Sequence, residues 1–100
     1  METLRVQISN AVNELQKMLK FLSGGEEETR LRRLRSLYFG LWQQVILQEI
    51  DNQTAEYRAA VESLLRASDT AQAAQEDKNL VSAAIAELDQ AVAAVEKVLR

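Results

Sequence analysis

Few side chains in this 100-residue protein are suited to catalysis, because the sequence contains no Cys and no His. The chain therefore has no disulfide, no thiolate or imidazole metal ligand, and no imidazole to shuttle protons or activate a nucleophile. Any catalysis would depend on carboxylates, Lys, Arg, Tyr or Ser alone.

The carboxylates lack the spacing of a cation site. Glu26, Glu27 and Glu28 are consecutive, so on a helix they point in different directions, and Glu87 and Asp89 diverge because they are two residues apart. The chain has no Glu-x-x-Glu followed by Glu-x-x-Asp, and no glycine-rich phosphate loop. These observations predict a protein that is not an enzyme and that binds no cofactor and no metal ion.

A cluster of arginines is the strongest charged feature. It consists of Arg30, Arg32, Arg33 and Arg35. One interpretation is a solvated helix face with acid-before-base pairs four residues apart, Glu26 with Arg30 and Glu28 with Arg32. The other is an anion-binding site, which would make the chain a nucleic-acid-binding helical module. The net charge of −3 argues against a nucleic acid as the main partner.

Large apolar side chains are concentrated in residues 37–50. On a helix they cover an arc of about 220°, roughly twice the stripe that a helix packed on one side requires. Either the bundle covers this helix on several sides, or part of the arc binds a second copy or another helical protein. Because aromatic residues are enriched at interface cores, we predict that the anchors of a homodimer interface are Tyr38, Phe39, Trp42 and Ile46.

Gly40 lies within this apolar segment but on its polar side. It has two interpretations. It could be a tolerated helix interruption that costs about 1 kcal/mol relative to Ala, or it could mark a kink or a close backbone contact.

The pattern of apolar residues predicts helices almost everywhere. Steps of three and four residues recur from Leu4 to Leu22 and again from Val81 to Leu99, and the chain has no Pro. The first break is predicted at Ser23-Gly24-Gly25. We expect an all-α fold, an antiparallel bundle of three to four helices forming one domain over residues 1–100. The favoured segments are 2–22, 26–50, 53–75 and 79–99.

Two boundaries stay open in the sequence. A break near Asp51-Asn52-Gln53-Thr54 is favoured, because one helix over 26–66 would be about 60 Å long. An unbroken central helix gives the three-helix alternative. The end of the third segment falls either at Ser68–Thr70 or at Gln75–Asn79.

Charge is distributed unevenly along the chain. Residues 1–35 contain seven basic and five acidic side chains, which gives +2 and leaves −5 for the rest of the net −3. The two halves can attract each other, within one fold or between copies.

No apolar run is long enough to cross a membrane and no signal peptide is evident, so a cytoplasmic location is expected. The sequence as a whole predicts a non-catalytic protein-protein interaction or structural module that self-associates.

Overall fold

The computed structural model describes residues 3–22 and 24–99, and its regular structure is helical throughout. The four helices are α1 (Leu4–Phe21), α2 (Gly25–Leu47), α3 (Ala55–Ala74) and α4 (Val81–Val98), and a short 3-10 turn (Lys78–Leu80) precedes α4. The predicted all-α helical bundle is therefore confirmed, in its four-helix form.

The helices alternate in direction. One end of the bundle brings the start of α1, the end of α2 and the start of α3 around a single pocket, so α2 runs opposite to α1 and α3. The Leu4 amide of α1 donates a hydrogen bond of 2.8 Å to the Tyr57 hydroxyl of α3, which fixes these two parallel helices at their starts. The start of α3 also lies beside the end of α4, so α4 is antiparallel to α3.

Each helix packs mainly on two others. α1 contacts α2 and α3, and α4 contacts α2 and α3, so the pairs α1 with α4 and α2 with α3 lie across the diagonals. The most extensive contact joins α3 and α4, where buried alanines let the helices approach closely. Helix α2 packs on two neighbours like the other helices, but its contacts with them are the least extensive of the four.

The helix ends follow the residues that can satisfy free backbone groups. Thr3 and Thr54 begin α1 and α3 by accepting hydrogen bonds from the amides of Val6 and Tyr57, at 3.2 and 3.1 Å. Gly24 has φ +82° and ψ 178°, a conformation essentially limited to glycine, and it separates α1 from α2. The predicted break is thus present at Gly24, while Ser23 and residues 1, 2 and 100 lie outside the described part of the chain.

The open boundaries are also settled. An unbroken central helix is wrong, because α2 ends at Leu47, three residues before the predicted end at Ile50. In the following loop the Asp51 carboxylate accepts a hydrogen bond of 2.9 Å from the Gln53 amide, in the turn that leads to α3. Ser68 and Thr70 lie within α3, and the chain turns at Gln75–Asp77 instead.

Candidate interaction surface

A row of large apolar side chains lies exposed along α2. Phe39, Trp42 and Ile46 are 48%, 38% and 41% exposed, and their spacing of three and four residues puts them on one side of the helix. We call these three side chains the apolar row. They stand beside the buried stripe of α2, which consists of Leu31, Leu34, Tyr38, Leu41 and Val45.

The apolar row borders α1. Phe39 and Trp42 line a shallow groove of about 200 Å³ together with Ser9 and Val12 of α1. Neither Ser9 nor Val12 was predicted from the sequence to lie at this surface. Val12 lies beside the apolar stripe that runs from Leu4 to Leu22, so its apolar side chain was the available signal that α1 contributes to the groove.

The far end of the apolar row lies at the end of the bundle. Ile46 lines a separate pocket of about 260 Å³ with Arg5 of α1 and residues of the loop after α2. The apolar row therefore connects two concave surfaces on the α1 side of α2. Such a surface can accept apolar side chains from another protein.

Tyr38 differs from the other three predicted anchors, because it is completely buried in the core of its own chain. Its hydroxyl donates a hydrogen bond of 2.6 Å to the Leu88 carbonyl of α4. Burial, with a smaller contribution from the charge of Asp89, raises the pKa of this phenol well above its usual value. Its placement among the surface anchors is corrected: Tyr38 faces α4, whereas Phe39 is turned about 100° away.

Gly40 makes no close contact. An added Cβ atom would meet nothing within 4 Å, and Gly40 lies inside α2 without a positive φ angle. The interpretation as a tolerated helix glycine fits this geometry, and the close-contact interpretation does not.

The four arginines do not form one patch. Arg30 and Arg33 line a groove of about 150 Å³ between α2 and α4, which Asp89 also lines. Arg32 is paired with Glu28 at 3.0 Å on the exposed surface. Since Arg35 lies on the side of the apolar row, the cluster is divided between two sides of α2.

The Glu28 side chain forms hydrogen bonds with residues on both sides of it at the start of α2. Its carboxylate accepts a hydrogen bond from the Gly24 amide and another from the Arg32 guanidinium, and these bonds hold the pKa of Glu28 below its usual value. The predicted Glu28–Arg32 pair is therefore present. This arrangement organises the helix start and leaves the Glu28 carboxylate bound to its own chain.

The remaining acidic side chains are dispersed. No group of three Asp or Glu residues in the described ranges is close enough to bind a metal ion. None of the helices over residues 3–22 and 24–99 is long and apolar enough to span a membrane. The surface with the most distinctive character is the apolar row with its α1 border.

Comparisons with models of protein families, with curated proteins and with solved structures find no match to this chain.

Proposed function

We propose that the protein is a non-catalytic interaction module that self-associates through the apolar row on α2. The observation that carries the proposal is the joint exposure of Phe39, Trp42 and Ile46 in one line along the helix. Three adjacent large apolar side chains form a contiguous patch, whereas single exposed apolar residues are common on any protein surface. Burying the patch against a second copy removes it from water.

The strength of this association can be estimated from the exposed fractions. Complete burial of a large apolar side chain is worth about 1.5–3 kcal/mol, so burial of the remaining 38–48% is worth about 1 kcal/mol each. The six side chains of two copies then contribute about 6 kcal/mol in total. A micromolar dimer needs a net free energy of about 8 kcal/mol, and association also costs about 4–15 kcal/mol of translational and rotational freedom, so most of the stabilisation must come from α1 and from polar contacts beside the apolar row.

Sedimentation equilibrium across a dilution series tests the proposal. Trp42→Ser should shift the monomer-dimer equilibrium towards monomer by at least about tenfold, because it removes the central aromatic side chain from both copies. Leu65→Ser is the matched control, since Leu65 is 43% exposed but lies on α3. We expect this variant to dimerise like the wild type.

One result contradicts the proposal. It fails if the wild-type chain is folded by circular dichroism and stays monomeric up to about 100 μM, a concentration about a hundred times the dissociation constant of a micromolar dimer. It also fails if Leu65→Ser weakens association as much as Trp42→Ser does.

The arginine cluster gives less support to the alternative function, nucleic-acid binding, than the apolar row gives to self-association. A nucleic-acid-binding surface needs basic side chains that act together along the phosphate backbone. Arg30 and Arg33 instead lie beside Asp89, and Arg32 is bound to Glu28. The geometry therefore favours the apolar row as the interaction surface.

A further inference from the structure

Two charged side chains flank the apolar row at its ends. Arg35 precedes Phe39 by four residues, which puts it on the same side of α2 as the apolar row, and Glu49 follows Ile46 by three residues, just beyond the end of the helix at Leu47. Arg35 is half-buried on α2, and Glu49 is exposed two residues after the helix ends. Within the described residues neither side chain has an oppositely charged group within 4 Å, whereas the neighbouring Arg32 is paired with Glu28.

The two charges are equally far from the tryptophan in the sequence. Arg35 lies seven residues before Trp42 and Glu49 lies seven residues after it. Seven residues of helix put Arg35 about 10.5 Å from Trp42 along the axis, and Glu49 lies in the loop that begins after Leu47, about 7.5 Å beyond Trp42. A rotation by 180° about an axis through Trp42 therefore exchanges the basic and the acidic end.

We propose that the second copy docks its own α2 antiparallel to the first, with a two-fold axis at Trp42. This inference rests on the proposed function and names the partner surface and its orientation. In this arrangement Arg35 of each copy pairs with Glu49 of the other, and Phe39 of each copy lies near Ile46 of the other. Trp42 meets its own symmetry mate at the centre.

Charge selects this orientation. A parallel pairing of the two helices would put Arg35 beside Arg35 and Glu49 beside Glu49, and like charges in contact are unfavourable. The antiparallel pairing forms two ion pairs at the rim of a dry apolar centre. It is also a closed two-fold contact, in which both copies use the same patch.

Charge reversal tests the orientation directly. Arg35→Glu puts two pairs of acids into the dimer and Glu49→Arg puts two pairs of bases, so each single variant should raise the dimer dissociation constant by about tenfold. The double variant R35E/E49R restores both ion pairs in the opposite sense. Its dissociation constant should return to within about threefold of the wild-type value.

Mixing the two single variants gives a second readout. A heterodimer of R35E with E49R contains two pairs of opposite charges, so it should form in preference to either homodimer. This readout tests whether the two positions lie at the interface. The orientation is tested by the single variants, because a parallel pairing has two like-charge contacts in the wild type and in each single variant and would leave their dissociation constants equal. The controls are Arg33→Glu, on the α4 side of α2, and Glu62→Arg, on α3; both change the charge equally at exposed positions away from the apolar row. Neither should change the dissociation constant.

The outcomes separate this inference from the proposed function. A wild-type chain that is folded and monomeric overturns both. A dimer that Trp42→Ser weakens, but whose dissociation constant the single charge reversals do not raise or the double variant does not restore, overturns only the antiparallel arrangement. Weakening by each single reversal and restoration in the double variant, with the controls unchanged, support it.

Discussion

Two tyrosine hydroxyls join helices through hydrogen bonds of different kinds. The Tyr57 hydroxyl accepts from the buried Leu4 amide, which lies in the first turn of α1 and has no partner within the helix. The Tyr38 hydroxyl donates to the Leu88 carbonyl, which also takes part in the backbone hydrogen bonding of α4. Removing the Tyr57 hydroxyl leaves the buried Leu4 amide without an acceptor, whereas the Leu88 carbonyl keeps its helix hydrogen bond when the Tyr38 hydroxyl is removed.

The two Tyr→Phe variants should therefore differ in stability. Tyr57→Phe should lower the free energy of unfolding by about 1–3 kcal/mol, and Tyr38→Phe by about 0.5–1.5 kcal/mol. Urea unfolding of both variants, at a protein concentration where the wild type is monomeric, measures the difference. A larger loss for Tyr38→Phe would contradict the assignment of the unsatisfied group to the Leu4 amide.

At the scale of elements, the glycines of α2 and its preceding turn have opposite roles. Gly24 has φ +82° with ψ 178°, which a residue with a Cβ adopts only with strain. Gly40 lies within the helix and has open space around an added Cβ atom. The same substitution should therefore change stability in opposite directions at the two positions.

Gly24→Ala should destabilise the protein by about 1–3 kcal/mol, whereas Gly40→Ala should stabilise it by about 0.5–1 kcal/mol. Chemical denaturation gives both values, and each variant is the control for the other because the added group is the same methyl. Destabilisation by Gly40→Ala would show that α2 is bent or closely approached there.

The sequence predicted where the helices lie better than it predicted which helices pack against each other. Three-and-four spacing identified α1 and α4, and local capping by Asp51 and Thr54 explains the predicted break before α3. The diagonal placement of α2 and α3 was not predicted, because it depends on contacts between distant parts of the chain. The assignment of Tyr38 to the surface failed for the same reason: an arc of about 220° does not show which of its sides meets α4.

At the scale of the whole molecule, the packing explains why α2 retains apolar surface. The buried alanines of α3 and α4 bring these helices close together, whereas the contacts that α2 makes with α1 and α4 are the least extensive of any of the four helices. Charge is divided in the same way. α1 and α2 together hold seven basic and four acidic side chains, and α3 and α4 hold three basic and six acidic ones, so the helix pairs carry +3 and −3.

This division of charge bears on how dimerisation responds to salt. In the proposed antiparallel dimer, two net-positive helix pairs would come together, while the Arg35–Glu49 contacts at the rim would be attractive. Salt screens both effects, so the net salt dependence should be small compared with the loss caused by reversing Arg35 or Glu49.

Thermal unfolding provides a test that involves the entire molecule. If the native state is a dimer and the unfolded state is not, mass action makes the midpoint depend on concentration. For a domain of this size, each tenfold rise in protein concentration above the dissociation constant should raise the midpoint by about 3–5 °C. Differential scanning calorimetry at several concentrations measures this slope.

The variants that separate packing from association make the thermal test specific. Trp42→Ser should have a midpoint that is nearly constant at concentrations below its own raised dissociation constant, where the wild-type midpoint already rises with concentration. Leu65→Ser, with an equally exposed side chain removed from α3, should keep the wild-type slope even if its midpoint shifts. A wild-type midpoint that stays constant while the protein unfolds reversibly would mean that the apolar row remains exposed to water in the native state, and association through α2 would then have no thermodynamic basis.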